Sequence, residues 1–424
     1  MLIKFNVQNY RSIKDECELS MVASRYYKEY EENNTFDTGI PDFPRLLKSV
    51  VIYGPNGTGK STIMDAMKFL ERFILNSAKN SQAEEKIDVS PFRLCSIARS
   101  EPSNFEISFI EDGTRYEYGL SVTTEKVLEE WLIAYPKGSP QKWFHRVWDQ
   151  DSEDYAYKFS KSFAGGRLRQ DWQRHTRPNS SFFSVAIQFN NEQLKPAFSW
   201  FQKRVAIMKP ENLSSEFTAE ECKDTDFKRK VIEFITSADI AVDDIQIKSR
   251  KFSDVDFPDN MPQSFREEIK KTFKDKEFHE VFFFRPDDTG AAVAFAFSEE
   301  SNGTQGLFNF AGPWIDVTSH DLVLLVDELD SSLHPLIVHH LVDILHKQSS
   351  KAQIIFTTHD TTILSQKILR RDQIWLLKKN RKFASTLYPL SDFKIREGES
   401  VEKGYLSGRY GGIPFIRDVK FDGE

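Results

Sequence analysis

One stretch constrains the fold more than any other: Val50-Val51-Ile52-Tyr53-Gly54-Pro55-Asn56-Gly57-Thr58-Gly59-Lys60-Ser61-Thr62. Residues 50–53 are apolar and mostly β-branched, which predicts a buried strand. Ile63, Met64, Met67, Leu70 and Ile74 then recur at helical spacing. Between the two, Gly54, Gly59, Lys60 and Ser61 fit the spacing G-x-x-x-x-G-K-[ST] of a phosphate-binding loop. Glycines let main-chain N–H groups turn inward around phosphate oxygens, where a side chain would stand in the way. The expected contacts run from Gly54 through Pro55, Asn56, Gly57, Thr58 and Gly59 to Thr62. Lys60 is expected to reach the β- and γ-phosphates, and Ser61 to offer its hydroxyl to Mg²⁺. The helix N-terminus adds a dipole that favours anions.

A second signal lies far downstream. Leu322-Val323-Leu324-Leu325-Val326 is a continuous apolar run, as in a parallel strand buried on both faces, and it ends in Asp327-Glu328. Two acids there would be expensive as a buried structural pair. In phosphate-loop enzymes the first holds Mg²⁺ and the second orients and activates the attacking water, so Asp327 and Glu328 take those roles. Ile354-Ile355-Phe356 predicts the next buried strand, and His359 follows it. Strand C-termini are where α/β sheets place ligand contacts, so His359 is read as a γ-phosphate contact. Ser301 and Gly303 open a helix, as an ordinary N-cap or as a second anion-binding end. A helix from Pro335 carries His339, His340 and His346, which are expected on the surface.

The 424 residues leave room for two or three domains. The net charge of −7 gives no general pull toward nucleic acid. The three cysteines lack metal-type spacing, and the 36 phenylalanines predict a well-filled interior. Met1–Asn6 lacks a long apolar core, so no signal peptide is expected, and no run reaches membrane-spanning length. The cytoplasm is the expected location. Alternating patterns at 3–7 and 17–21 predict two joined strands, and segments 105–110, 116–122, 131–135 and 142–148 predict a β meander, with a hairpin at Asp112-Gly113. Residues 23–45 read as a mobile surface loop. Residues 161–177 interleave Lys161, Arg167, Arg169, Arg174, His175 and Arg177 with Phe163 and Trp172. That is either a nucleic-acid contact or a solvated loop. Segments such as 227–235 and 265–273 are amphipathic and helical, with no sustained heptad. The expected division is 1–160 as an N-terminal lobe, 161–280 as a mostly helical insert and 281–424 as a C-terminal lobe. Gly404–Gly412 is a tail that either docks on the lobe or meets a partner.

In this order the pieces resemble the ABC-type ATPase head shared by RecF, SMC/Rad50 and OLD-like proteins. Ser301-Asn302-Gly303-Thr304-Gln305 resembles the ABC signature, Asp330 falls in the D-loop, and His359 takes the switch position. Asn9-Tyr10-Arg11-Ser12-Ile13 resembles the opening strand-turn of the group, which makes Arg11 a nucleotide contact. Within that group the chain resembles more closely the stand-alone OLD-like ATPases of bacterial defence islands, the restriction-linked Rlo type. Carrying that likeness are Glu300–Gln305, Asp327–Pro335, Arg371–Trp375 and Gly404–Gly411. A Q-loop glutamine is missing around Pro91–Leu94.

The resemblance implies an α/β P-loop NTPase of ABC-ATPase head type, two-lobed with mixed sheets and helices, and without a long coiled coil. It implies ATP and Mg²⁺ as cofactors, and a homodimer or higher homo-oligomer whose copies share ATP sites head to tail. The 65 residues after His359 are too few for the nuclease domain that OLD proteins append. The expected activity is therefore an ATPase that senses for, and regulates, a separately encoded nuclease-like effector in anti-phage defence. A RecF-like DNA-binding repair ATPase is the alternative, and a binding module with a dead site is a third reading.

Overall fold

A computed structural model describes residues 1–80, 82, 84–251, 277–331, 333–348, 350–365, 368–396 and 398–414. The chain forms two compact units. The first holds Met1–Ile207, Asp321–Glu328 and Val342–Glu424; the second holds Met208–His320 and Leu329–Leu341. These cuts differ from the boundaries expected at 160 and 280. The amphipathic segment 265–273 lies outside the described residues.

Two large sheets build the first unit. One has six strands in the order Val205–Met208, Val323–Val326, Gln353–Thr357, Ser49–Tyr53, Ile374–Lys379 and Ser385–Pro389. Its middle pairs are parallel, and the last hairpin is antiparallel. The strands at 49–53, 323–326 and 353–357 are buried along their whole length, as continuous apolar runs require. The other sheet has seven antiparallel strands, in the order Asp154–Phe159, Gln141–Asp149, Val127–Tyr135, Thr114–Val122, Ser103–Glu111, Leu2–Gln8 and Cys17–Ser20. Asp112 and Gly113 both have positive φ (48° and 71°), which the expected two-residue hairpin demands. Gln353 ties the sheets together. Its Oε1 accepts from the Leu2 N–H (2.6 Å) and its Nε2 donates to the Leu2 carbonyl (2.9 Å). The phenylalanines fill the core, as where Phe109 stacks on Trp200 at 4.3 Å. The expected α/β class, with mixed sheets and helices, is what forms. The longest described helix, Lys60–Asn80, has 21 residues, so the described residues include no long coiled coil.

Glu130 and Arg146 are fully buried in this unit. The Glu130 carboxylate accepts from the N–H groups of Phe182 (2.7 Å) and Phe183 (3.1 Å), from Ser181 Oγ (2.7 Å) and from Tyr118 OH (3.0 Å). It therefore caps the helix Phe182–Gln188. Arg146 sits 3.7 Å away and donates to the carbonyls of Ser180 and Arg177.

The second unit is smaller. Asp244–Lys251, Glu277–Pro286 and Ala292–Ala296 form an antiparallel sheet. Helices Glu216–Glu221 and Thr225–Ser237 pack on helix Asn302–Ser319. Gly312 permits the close approach: a Cβ there would meet the Thr218 backbone at 2.9 Å.

Several expectations change. Residues 23–45 are not a bare loop: Thr35–Asp37 pairs with Arg45–Leu47, and Asn34 is buried, donating to Gln373 Oε1 at 2.7 Å. His346 is a core residue, not a surface one. It shares a hydrogen bond with Ser49 Oγ at 2.8 Å, and burial pushes its pKa down to about 3. Phe163 and Trp172 are buried, so the basic stretch 161–177 has no aromatic platform from them. The tail docks: Tyr405 OH donates to the Gly412 carbonyl, Tyr388 OH donates to the Tyr410 carbonyl, and Tyr405 packs on Tyr53.

Two outcomes follow for stability. Glu130→Ala strands a buried guanidinium and uncaps a helix, and is expected to cost about 3–5 kcal/mol in urea denaturation. His346 is held neutral by the fold, so the unfolded chain binds the extra proton between pH 6.5 and about 3. Stability is present above pH 6.5 and is lost as pH falls through that window. In a His346→Gln variant, the stability-versus-pH slope there is expected to be shallower by up to about 1.4 kcal/mol per pH unit.

Candidate functional site

The order of the parallel strands decides where the site lies. Thr357 pairs with Ile52, and Val326 pairs with Phe356, so three strands end along one edge of the sheet. The phosphate-type loop leaves the first strand at Gly54, the acid pair leaves the second at Asp327, and the strand between them leads to His359. Loop and acids are two strand spacings apart, about 10 Å. Residues far apart in sequence thus share one edge because their strands are hydrogen-bonded neighbours.

The loop is braced before any ligand arrives. Gly57 (φ 71°) and Gly59 (φ 103°) lie in the left-handed region that favours glycine. A Cβ on Gly59 would collide with Ser12 Oγ and would come within 2.6 Å of Ser385 Oγ. A Cβ on Gly54 would meet the Leu377 carbonyl at 2.6 Å. Ser12 Oγ donates to Thr62 Oγ1 (3.0 Å), and Ser385 Oγ contacts both Ser12 Oγ (2.9 Å) and the Thr58 carbonyl (2.5 Å). Lys60 is buried at the start of its helix, and its Nζ donates to the Gly54 carbonyl at 2.7 Å and the Pro55 carbonyl at 3.3 Å. The helix N-terminus and the ammonium put positive potential at the loop.

Asp327 is buried and Glu328 is exposed. One residue joins them. Thr357 Oγ1 donates to Asp327 Oδ1 at 2.8 Å and accepts from the Glu328 N–H at 2.7 Å. Glu328 has a φ of 60°, in the left-handed region. His359 is exposed, two residues past Thr357. The loop after it is anchored by Tyr53 OH, which donates to the Asp360 carbonyl at 2.8 Å.

Arg11 also has a positive φ (49°), pairs with Asp65 and lies over the Tyr10 ring. It lines a polar cavity of about 390 Å³ along the helix Lys60–Asn80, with Lys68, Arg72 and Lys86. The segment near Pro91 is held by Asn9, whose Oδ1 accepts from the Phe92 N–H and whose Nδ2 reaches the carbonyls of Ala98 and Glu101. No glutamine occurs between Gln82 and Gln141.

The first unit therefore gathers Gly54–Thr62, Arg11, Asp327, Glu328 and His359, while Ser301, Gly303 and Asp330 belong to the second. In the second unit Ser301 caps its helix, accepting from the Thr304 N–H at 3.2 Å. A two-pronged ion pair, Arg285 to Glu300 (2.5 and 3.0 Å), fixes the residue just before it. Sequence reasoning missed Ser12, Ser385, Thr357 and Arg285. Ser12 stood inside a stretch already singled out, but no local pattern marks the other three.

The residues fit a nucleotide and a hard divalent cation. The loop has two glycines at positive φ and an ammonium, while a buried carboxylate and a loop hydroxyl, Asp327 and Ser61, are oxygen donors suited to Mg²⁺. Among the described residues no cluster of three or more His, Cys, Asp or Glu is arranged to hold a metal, and no helix is long and apolar enough to cross a membrane.

Solved structures with overall likeness include the SMC head domain from Thermotoga maritima, at 14% identity over 93% of this chain and 99% of that one, with a TM-score of 0.41. An SMC head bound to the C-terminal winged-helix domain of ScpA gives 12% identity, 96% and 99% coverage and a TM-score of 0.40. One with an extended coiled coil, bound to the C-terminal domain of ScpA derived from Pyrococcus furiosus, gives 10%, 96%, 98% and 0.38. No curated protein matches the sequence. A family model described as "AAA domain, putative AbiEii toxin, Type IV TA system" matches residues 49–365, a span that contains the loop, the acid pair and His359. The chain belongs to that AAA-domain family.

Proposed function

We propose that this chain binds and hydrolyses ATP in a Mg²⁺-dependent manner, and that it uses the cycle to sense for and control a separately encoded, nuclease-like effector in anti-phage defence. The carrying observation is the shared edge: glycine loop, acid pair and His359 at the ends of three adjacent strands. Gly54–Thr62 would wrap the phosphates with main-chain N–H groups. Lys60 would trade its carbonyl partners for the β- and γ-phosphates. Ser61 and Asp327 would hold Mg²⁺, which when bound neutralises phosphate charge. Glu328 would orient and deprotonate the attacking water, His359 would contact the γ-phosphate, and Arg11 the nucleotide.

Ser301, Gly303 and Asp330 would act on the nucleotide of a second copy, giving a head-to-tail homodimer or a larger ring. Two opposed helix N-termini would then share one polyphosphate. The buried Phe163 and Trp172 weaken the basic stretch as a nucleic-acid contact, and with it the RecF-like alternative. Retention of DNA by the lone protein only when ATP is present would favour that alternative.

Glu328→Gln is expected to keep nucleotide binding and to lose about 100-fold or more in phosphate release. Lys60→Ala is expected to weaken nucleotide binding by about 10- to 100-fold, measured by titration calorimetry. Equal turnover by wild type and Glu328→Gln would remove Glu328 from its role. In gel filtration, Glu328→Gln with ATP and Mg²⁺ is expected to elute as a dimer or larger, and elution as a monomer would count against shared sites.

A further inference from the structure

We infer that Thr357 is a positioning residue for ATP hydrolysis, and that its single hydroxyl sets the placement of both acids at the site. The inference rests on the ATPase reading above and adds a residue to it.

Thr357 closes the strand Gln353–Thr357, which runs between the loop strand and the acid strand. It is fully buried. Its Oγ1 does two jobs at once, donating to Asp327 Oδ1 and accepting from the Glu328 N–H. Only a hydroxyl can donate and accept through one atom in so small a space. The first bond fixes the rotation of a buried carboxylate. The second holds the Glu328 backbone at a φ of 60°, a conformation that a residue with a Cβ adopts rarely and keeps only when its surroundings impose it.

The geometric consequence is specific. Without the hydroxyl, the Glu328 N–H loses its acceptor and the left-handed turn loses its restraint. Glu328 then relaxes toward ordinary backbone angles, and its carboxylate swings away from where a water beside the γ-phosphate would stand. Lys60 Nζ donates to the Gly54 and Pro55 carbonyls and Ser385 Oγ contacts the Thr58 carbonyl, so the loop's own grip on ATP, read without Mg²⁺, is left alone. A purely structural threonine would affect folding and binding together; a positioning one affects turnover.

Thr357→Ser and Thr357→Ala differ by one oxygen atom and make the cleanest pair, assayed as full chains well below each variant's own melting temperature. Thr357→Ser is expected to stay within about threefold of wild-type kcat, and Thr357→Ala to lose about 10- to 100-fold, with the Kd for ATP measured without Mg²⁺ unchanged in both. Equal kcat for the two, or a Mg²⁺-free Kd that weakens in Thr357→Ala as much as kcat falls, overturns the proposal while an active wild type and an inactive Glu328→Gln leave the ATPase reading standing. A wild type that releases no phosphate from ATP removes the reading and this proposal together.

Discussion

The pairing of three parallel strands is the constraint on which the site depends. Ser49–Tyr53, Gln353–Thr357 and Val323–Val326 are hydrogen-bonded side by side, and each is buried on both faces. Parallel neighbours end on the same edge, so whatever follows them in sequence is delivered to one place. Apolar burial drives this and is indifferent to function; the polar residues that follow supply the chemistry. The glycines then let the loop lie against its braces, since a side chain at Gly54 or Gly59 would push the loop off Leu377, Ser12 and Ser385.

What was readable in the sequence was local. The loop at Gly54–Thr62 declares itself because glycine, lysine and hydroxyl recur at fixed spacing. The acid pair stands out because two carboxylates end an apolar run, and the Asp112-Gly113 hairpin because both residues tolerate positive φ. What was not readable depended on partners distant in sequence. His346 looks like a surface residue on an amphipathic helix until Ser49 and Gln373 are seen to meet it. Phe163 and Trp172 stand in a stretch that reads either as a nucleic-acid contact or as a solvated loop, and they are core. Thr357 is one threonine among two, and only the neighbouring strand reveals which of them touches the acids.

The chain crosses from the first unit to the second immediately after Glu328. The residue with the left-handed backbone is therefore also the last one before Leu329 and Asp330. A change in the Glu328 backbone bears directly on one of the four places where the chain passes between the units.

The central claim is that the loop and the acid pair of one molecule grip one nucleotide and one metal ion. A crystal structure grown with a non-hydrolysable ATP analogue and Mn²⁺ in place of Mg²⁺ tests this most directly, because Mn²⁺ scatters anomalously and can be located by itself. The account predicts the triphosphate inside residues 54–62 and a Mn²⁺ peak between Ser61 Oγ and the Asp327 carboxylate, bound directly or through one water. A triphosphate held elsewhere, or a Mn²⁺ peak remote from both side chains, would contradict it.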